Sequence, residues 1–510
     1  MTAHELQFRK SKTQATRPSA GATQPSRCHG ILCDMVTERG MLAAALGRRV
    51  VALAVVENAP PEAVIAAFSA EKNPAILETT LPSQGSAGYS IFACNPVAEF
   101  IHDAGDATCP FEGLASRWPS HFVSMPPDWH LPFCGGWIGY FTYESGLTVE
   151  KLRTRKQSQR VLPAAHWYFY DAAAVYDHRA RQWHAVAIDE AGSDFAPRVS
   201  VEEKLEGVRA RIAAAGKLKL PVTRKVPIAK VTGMSLSPRA GDHRPSYSAA
   251  FDKAMRYIEA GDIYQVNLTQ RFTVETTAPP LENYLRLRSV SPSPYAAFLP
   301  WDEGAIISAS PELFLSLRGR QVVTRPIKGT RRRGANSAED QLGRKDLESS
   351  EKDRAELNMI IDLLRNDLGR VSRYGTVRVT DAGSIEEHPT VFHRVAAVEG
   401  ELRPEVGISK LLRATMPGGS VTGCPKIRAM QIIDELEPHP REVYCGAVGM
   451  VGCDGTMALN VAIRTMLQRG GTVQAYAGGA VVADSTCASE YGEIEAKAAG
   501  MLRALGANST

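Results

Sequence analysis

An α+β layered fold is what the sequence predicts, and three observations carry it. Short apolar runs rich in β-branched and aromatic residues recur along the chain. Amphipathic helical stretches lie between them, some closed by glycine, and several of the strand-like runs read as hairpin pairs. A doubly wound dinucleotide fold has no support, because no G-x-G-x-x-G is present.

Taken in order, residues 1–30 read as a disordered tail whose start has no apolar stretch suited to a secretory signal. Residues 31–218 form an N-terminal region of alternating elements. "VVALAVV" (50–56) and "HWYFYDAAAVYD" (166–177) read as strands, and "PEAVIAAFSA" (61–70) and "VEEKLEGVRARIAAAG" (201–216) as helices. Residues 219–245 carry four prolines and no sustained periodicity, which marks a linker. A denser region, 246–506, follows. In it "AIISAS" (305–310), "MALNVAIRTML" (457–467) and "AYAGGAVVADS" (475–485) read as strands, and "EKDRAELNMIIDLLRNDLGRV" (351–371) as an amphipathic helix ending near Gly369.

Composition narrows the function classes. With 510 residues, 44% apolar and 22% charged, the chain is of ordinary globular make-up. A net charge of +4, with acidic residues interspersed among the basic ones, argues against nucleic acid as the partner. No apolar run reaches the length of a membrane span. The nine cysteines include no C-x-x-C pair, which fits reduced thiols in the cytoplasm better than a disulfide framework or a zinc site.

Several side chains carry possible chemistry. Glu356 sits at the margin of the apolar stripe of its helix, and Glu490, Glu493 and Lys497 recur at helical spacing near the C-terminus. Carboxylates from two helices would suit a hard cation such as Mg²⁺, with Gly478 and Gly479 letting a strand's backbone approach an anion. Arg464 stands inside an apolar strand, where it needs a salt bridge or a ligand carboxylate. Tyr444 opens another strand, His393 alternates with apolar residues in strand fashion, and Glu312 follows a proline at a strand break, where burial would raise its pKa. "MPGGSVTGCPK" (416–426) lacks the G-K-[ST] ending of a phosphate loop and is not read as one. Lys328, in "TRPIKGTRRR" (324–333), is by charge alone one more solvated cation.

Eight motifs give these residues a common context. In order they are "GDIYQVNLTQRF", "SASPELFL", "PIKGTRRR", "KDRAELNMIIDLLRNDLGRV", "GGSVTGCPKIRAMQIIDELEP", "CGAVGMV", "AIRTM" and "GGAVVADSTCASEYGEIEAK". The series resembles the chorismate-utilising enzymes from residue 246 to about 505. It implies a layered antiparallel β-sandwich core flanked by helices, the fold of anthranilate synthase component I. Two positions point to a branch. Members that add water carry lysine in the first motif, where this chain has Gln265. Anthranilate synthases carry alanine in "PIAGT", whereas the branch that aminates chorismate at C4, aminodeoxychorismate synthase component I, carries lysine, as here at Lys328.

What the resemblance implies is specific. Lys328 would attack C2 of chorismate with loss of the C4 hydroxyl, and ammonia would then add at C4 and expel the lysine, two displacements replacing one. The attacking amine must be neutral, which burial and the neighbouring cations Arg331 to Arg333 would favour. Glu312 would be general acid and base, with His393 beside it, although Arg394 follows where the family has leucine. Glu356 and Glu493, with Glu490 close by, would hold Mg²⁺. Gly329, Thr330, Tyr444, Arg464, Lys497 and the backbone at Gly478, Gly479 and Ala480 would bind substrate. No stretch resembles a glutamine amidotransferase or an aminodeoxychorismate lyase, so a separate glutaminase subunit would supply ammonia and a separate lyase would take the product toward 4-aminobenzoate and folate. Thr79 in "ILET" (76–79) and Pro294–Tyr295 partly match a tryptophan site of some relatives. An anthranilate synthase or a non-catalytic paralogue are the competing readings.

Overall fold

The computed structural model describes residues 48–55, 59–81, 88–103, 106, 108–117, 125, 126, 129–150, 152, 154, 156–190, 199–217, 244–388 and 391–506. The expected tail (1–30) and most of the expected linker (219–243) lie outside the described residues. In chain order the strands begin with β1 (Arg48–Val55), β2 (Ala75–Glu78), β3 (Tyr89–Ala93), β4 (Ala98–His102), β5 (Gly136–Phe141), β6 (Ala165–Tyr170), β7 (Ala172–Asp177) and β8 (Gln182–Glu190). Next come β9 (Gln265–Glu275), β10 (Tyr295–Trp301), β11 (Gly304–Ser310), β12 (Leu313–Arg318), β13 (Gln321–Arg325), β14 (Ile327–Arg332), β15 (Arg378–Glu387) and β16 (Val391–Glu401). The last are β17 (Gly423–Cys424), β18 (Ala447–Gly452), β19 (Met457–Val461), β20 (Thr465–Arg469) and β21 (Thr472–Val481).

They assemble into two antiparallel sheets. One runs β1-β8-β7-β3-β2-β10-β11-β20-β21-β9-β17 and the other β14-β16-β13-β12-β19-β18-β5-β6-β4, with β15 added to β16. Eleven helices are present among the described residues, so the expected α+β class with a layered antiparallel core holds. Strand periodicity explains the layering. On β3, Ile91 and Ala93 face the second sheet while Phe92 faces outward, and on β8 Val186 and Ile188 face in while Ala185 and Ala187 face out. The inward set meets Trp137, Trp167, Phe314 and Leu459 of the second sheet in one core. The outward set is covered by the helices Pro61–Ser69, Val201–Lys217, Pro280–Val290 and Cys487–Ala504. A sheet buried on both faces needs apolar residues at successive positions, hence the continuous runs such as "AIISAS".

Both sheets draw strands from both sides of the 219–245 segment. β2 pairs with β10 (Ala296↔Glu78 to Phe298↔Ile76), and β5 pairs with β18 (Ala447↔Phe141 to Gly452↔Gly136). At three places among the described residues the chain also crosses between sheets with no more than three residues between the strands. "HWYFYDAAAVYD" divides at Asp171 into β6 and β7, where Lys204 pairs with Asp171 at 2.6 Å. Pro311 and Glu312 join β11 to β12, and Ala462 to Arg464 join β19 to β20. "MALNVAIRTML" is therefore two strands in different sheets rather than one. Arg464 stands at their junction with φ of 49°, not in a central strand.

Candidate active site

Two of these crossovers lie side by side, and that places the site. β11 pairs with β20 and β12 with β19, so the junctions bearing Glu312 and Arg464 are brought together at one end of the sandwich. They are tied by Ala309 N–H to the Arg464 carbonyl (3.1 Å), Val461 N–H to the Glu312 carbonyl (3.0 Å) and Ser310 Oγ to the Val461 carbonyl (2.5 Å). A cavity of about 1480 Å³ opens there. Pockets for one small molecule are typically roughly 300–1,000 Å³, so this one has room for a small ligand with space to spare.

Glu312 is 4% exposed, and burial pushes its carboxyl up to about 7, against a hydrogen bond from Ser420 and the charges of Lys328 and Lys497. Ser420 Oγ donates to Glu312 Oε1 at 2.7 Å. A carboxyl balanced between its two forms near neutrality can give and take a proton. Arg464 makes no side-chain hydrogen bond or ion pair with the described residues, and burial lowers its pKa. A guanidinium left without an acceptor in a cavity calls for a ligand anion.

Lys328 reaches the same cavity because β14 is irregular. The register with β16 shifts between Ile327 and Thr330, and Gly329 between them has φ of 82°. Such a bulge re-aims the adjoining side chain. A Cβ on Gly329 would sit 2.8 Å from Leu347 Cδ1 and 2.9 Å from Asp353 Cγ, so glycine is required twice over. Lys328 is half-buried and has no hydrogen-bond or ion-pair partner among the described residues. Of the three neighbouring arginines, Arg332 lines the cavity while the other two are ion-paired. Arg331 pairs with Asp346 and Asp353 and Arg333 with Asp340, so their charges are met by carboxylates of the following helices.

His393 lies opposite Thr330 across the β14–β16 pair, and its Nδ1 is 2.8 Å from Thr330 Oγ1. Burial, Arg464 and His388 hold its pKa well below the usual value, so it is neutral. Arg394 points elsewhere, donating to the Leu347 and Glu348 carbonyls, so the residue that departs from the family pattern does not enter the cavity. Tyr444 belongs to the turn before β18 rather than to the strand. It is buried and stacked on Tyr476 at 5.3 Å, both rings lining the cavity.

The C-terminal helix and β21 close the other wall. Gly478 and Ala480 line the cavity, whereas Gly479 faces away toward Glu490, whose Oε2 would lie 3.1 Å from a Cβ there. Lys497 lines the cavity and donates to the Gly478 carbonyl at 2.9 Å while pairing with Glu493 at 2.7 Å. Glu356 and Glu493 also line it. Burial raises the Glu356 pKa, with Glu493 adding to the effect against Lys328 and Lys352. For Glu493 burial is outweighed by Lys497, Lys328 and Lys352, which leave it below the ordinary range. Glu490 is buried outside the cavity, accepting from Ser485 Oγ (2.8 Å) and Lys352 Nζ (3.3 Å). No three carboxylate, histidine or cysteine groups converge as a ready-made metal cage among the described residues, and the acidic wall is met by Lys352 and Lys497. Two carboxylates facing open space still match the donor set of Mg²⁺, which completes its shell with water and ligand oxygens.

Gln265 is fully buried on β9, two residues from the cavity-lining Asn267, with neither side-chain amide atom hydrogen-bonded. Thr79, Pro294 and Tyr295 come together around a second, smaller cavity of about 90 Å³, and Pro294 lines both cavities. Thr79 Oγ1 lies 3.0 Å from the Pro294 carbonyl and 2.9 Å from that of Tyr89. Sequence reasoning missed Ser420, Asn267 and Asp353. Ser420 is 108 residues from Glu312, and no spacing rule links them. Asp353 precedes Glu356 by one helical turn, an i,i+3 relation that could have been noticed.

Comparison with known proteins agrees with this architecture. Residues 77–503 match the family of chorismate binding enzymes. The aminodeoxychorismate synthase component 1 of Klebsiella aerogenes is 39% identical over 367 residues, 72% of this chain and 76% of that protein. The anthranilate synthase component 1 of Thermus thermophilus is 38% identical over 379 residues, 73% of this chain and 78% of that protein. The crystal structure of anthranilate synthase component I from Streptococcus pneumoniae superposes with a TM-score of 0.68 at 30% identity, covering 88% of this chain and 98% of that one. Its eight ordered motifs, its two-sheet sandwich and its match over most of its length make this chain a member of the chorismate binding enzyme family.

Proposed function

We propose that this chain aminates chorismate at C4, giving 4-amino-4-deoxychorismate, as an aminodeoxychorismate synthase component I does. The observation that carries the reading is Lys328: an unpartnered amine on a bulge, lining one cavity with Glu312 and Arg464. Similarity alone does not choose between relatives at 39% and 38% identity, and a side chain able to form a bond to the ring supports the first of them.

Arg464 binds one carboxylate of the substrate, and Tyr444 and Thr330 shape the floor beneath the ring. The lone pair of the Lys328 amine attacks C2, both conjugated ring double bonds shift (C1=C2 and C5=C6 become C1=C6 and C4=C5), and the C4–O bond breaks. Glu312 delivers its proton to the departing hydroxyl, and the new C2 ammonium loses a proton. Ammonia then attacks C4, both double bonds shift back, and the C2–N bond breaks, the proton lost from the new C4 ammonium being taken up by the departing nitrogen to restore the Lys328 amine. The net change is replacement of hydroxyl by amine with release of water. Glu356 and Glu493 would hold Mg²⁺, which supplies a counter-charge for the substrate carboxylate. Ammonia comes from a separate glutamine amidotransferase subunit, and a separate lyase consumes the product in the cytoplasm. Among the described residues no helix is long and apolar enough to cross a membrane.

The test is to incubate the chain with chorismate, Mg²⁺ and an ammonium salt at alkaline pH and follow products by mass spectrometry. Aminodeoxychorismate should form, and without ammonia a covalent adduct should map to Lys328. Lys328→Ala should lose both. Anthranilate fluorescence with no lyase present would overturn the reading in favour of an anthranilate synthase.

A further inference from the structure

Behind the cavity wall lies a guanidinium that the reaction above does not use. Arg441 is 1% exposed, and its side chain is occupied on every side. Nε and Nη2 donate to the two Glu437 carboxylate oxygens at 2.9 and 2.6 Å. Nη1 donates to the Val421 carbonyl at 2.8 Å and Nη2 to the Asn267 carbonyl at 2.6 Å, while the Tyr143 ring packs 4.6 Å away. Its own backbone N–H donates to Glu144 Oε1 at 2.8 Å. A buried ion pair is seldom a net gain over apolar packing, so these contacts point to what the pair holds in place.

Both carbonyls belong to the cavity wall. Val421 follows Ser420 in a tight turn, and Asn267 stands on β9, its N–H donating to the Thr422 carbonyl at 2.8 Å. Within the turn, Val421 N–H and Thr422 Oγ1 bond back to the Gly418 carbonyl. Those local bonds set the turn's shape but not its distance from Glu312. Arg441 adds a side-chain bridge from the turn to β9, beside the backbone pairing of Thr422 and β17 with that strand, and Glu437 extends it by accepting Thr269 N–H at 2.9 Å.

We propose that Arg441 is a positioning residue: it clamps the Ser420 turn against β9 so that the Ser420 hydroxyl stays on the Glu312 carboxyl. The charged groups that face Glu312 from other elements are Lys328 on β14 and Lys497 on the C-terminal helix, and neither touches Arg441. The consequence for rate rests on Glu312 being the acid and base of the proposed reaction. The clamp itself does not, and its test reads Glu312 directly.

That test is the titration of Glu312 by ¹³C NMR in the full, ligand-free chain labelled at glutamate carboxyls, with the signal assigned through Glu312→Gln. Ser420→Ala should move the midpoint upward, because a hydrogen bond to the ionised form is lost. Arg441→Lys should move it in the same direction, and the double variant should titrate no higher than Ser420→Ala alone, since both act through one bond. If Arg441→Lys fails to fold, Arg441→Met with Glu437→Gln removes the clamp without leaving a charge unpaired and is read in the same way. A folded clamp variant that leaves the midpoint in place, or that adds independently to Ser420→Ala, overturns the proposal. A moved midpoint in a chain that makes no aminodeoxychorismate would sink the functional reading and leave the clamp standing.

Discussion

At the scale of single residues, the site sets stability against chemistry. Burial raises the Glu312 carboxyl to about 7, so the folded chain holds a proton that the unfolded chain releases near the ordinary 4.5. The folded state then binds more protons than the unfolded one between those values, and stability falls as pH rises from 4.5 to 7. Glu312→Gln should therefore unfold at higher denaturant than the parent at pH 8, by on the order of 3 kcal/mol, and converge with it below pH 4.5. Equal midpoints at both pH values would refute the burial argument. Arg464 makes the same point with opposite charge. Its cation is half-buried with no acceptor among the described residues, so Arg464→Met should raise the melting temperature. It should also weaken kcat/KM for chorismate roughly 10- to 100-fold, the equivalent of about 1.5–3 kcal/mol for a charged hydrogen bond. A variant that gains neither stability nor KM would mean that Arg464 is not an anion site.

At the scale of elements, geometry that sequence periodicity does not encode decides where side chains go. Helices and strands with strong period were legible: 61–70 and 201–216 as helices, 305–310 as a strand, and the 351–371 helix ending at Gly369. "MALNVAIRTML" was not, because β19 and β20 are both apolar and only the positive φ at Arg464 marks the turn between sheets. Most site residues were reached through ordered motifs rather than periodicity, and Ser420 was missed because its partner is far away in sequence. Gly329 was named as a substrate contact, yet its structural role is the bulge that aims Lys328. Gly329→Ala should lose at least tenfold in turnover, since an alanine there meets Leu347 and Asp353 and strains a positive φ. Adduct formation at Lys328 should fall in step. An alanine variant with unchanged adduct rate would show that the bulge does not position the amine.

At the scale of the whole molecule, the chemistry and the folding unit do not coincide. Of the described residues that line the cavity only Leu81 precedes the 219–245 segment, which suggests that the second half could work alone. The sheets argue otherwise. Removing the first half would strip β2 from β10 and β5 from β18, leaving two long central strands as open edges. It would also take Trp137, Trp167 and Phe141 out of the core shared with Phe314, Met450 and Leu459. Glu144, which accepts the Arg441 N–H, and Tyr143, which packs on its guanidinium, would leave with them, so the loss reaches the wall behind Glu312. Residues 219–510 expressed alone should accordingly aggregate and give no ammonia-dependent turnover, while co-expression with residues 1–218 should restore a soluble, active pair. The intact chain should unfold in one transition, with circular dichroism and tryptophan fluorescence coincident. A soluble and active 219–510 fragment would show that the shared sheets are dispensable and that the first half serves some purpose other than completing the sandwich.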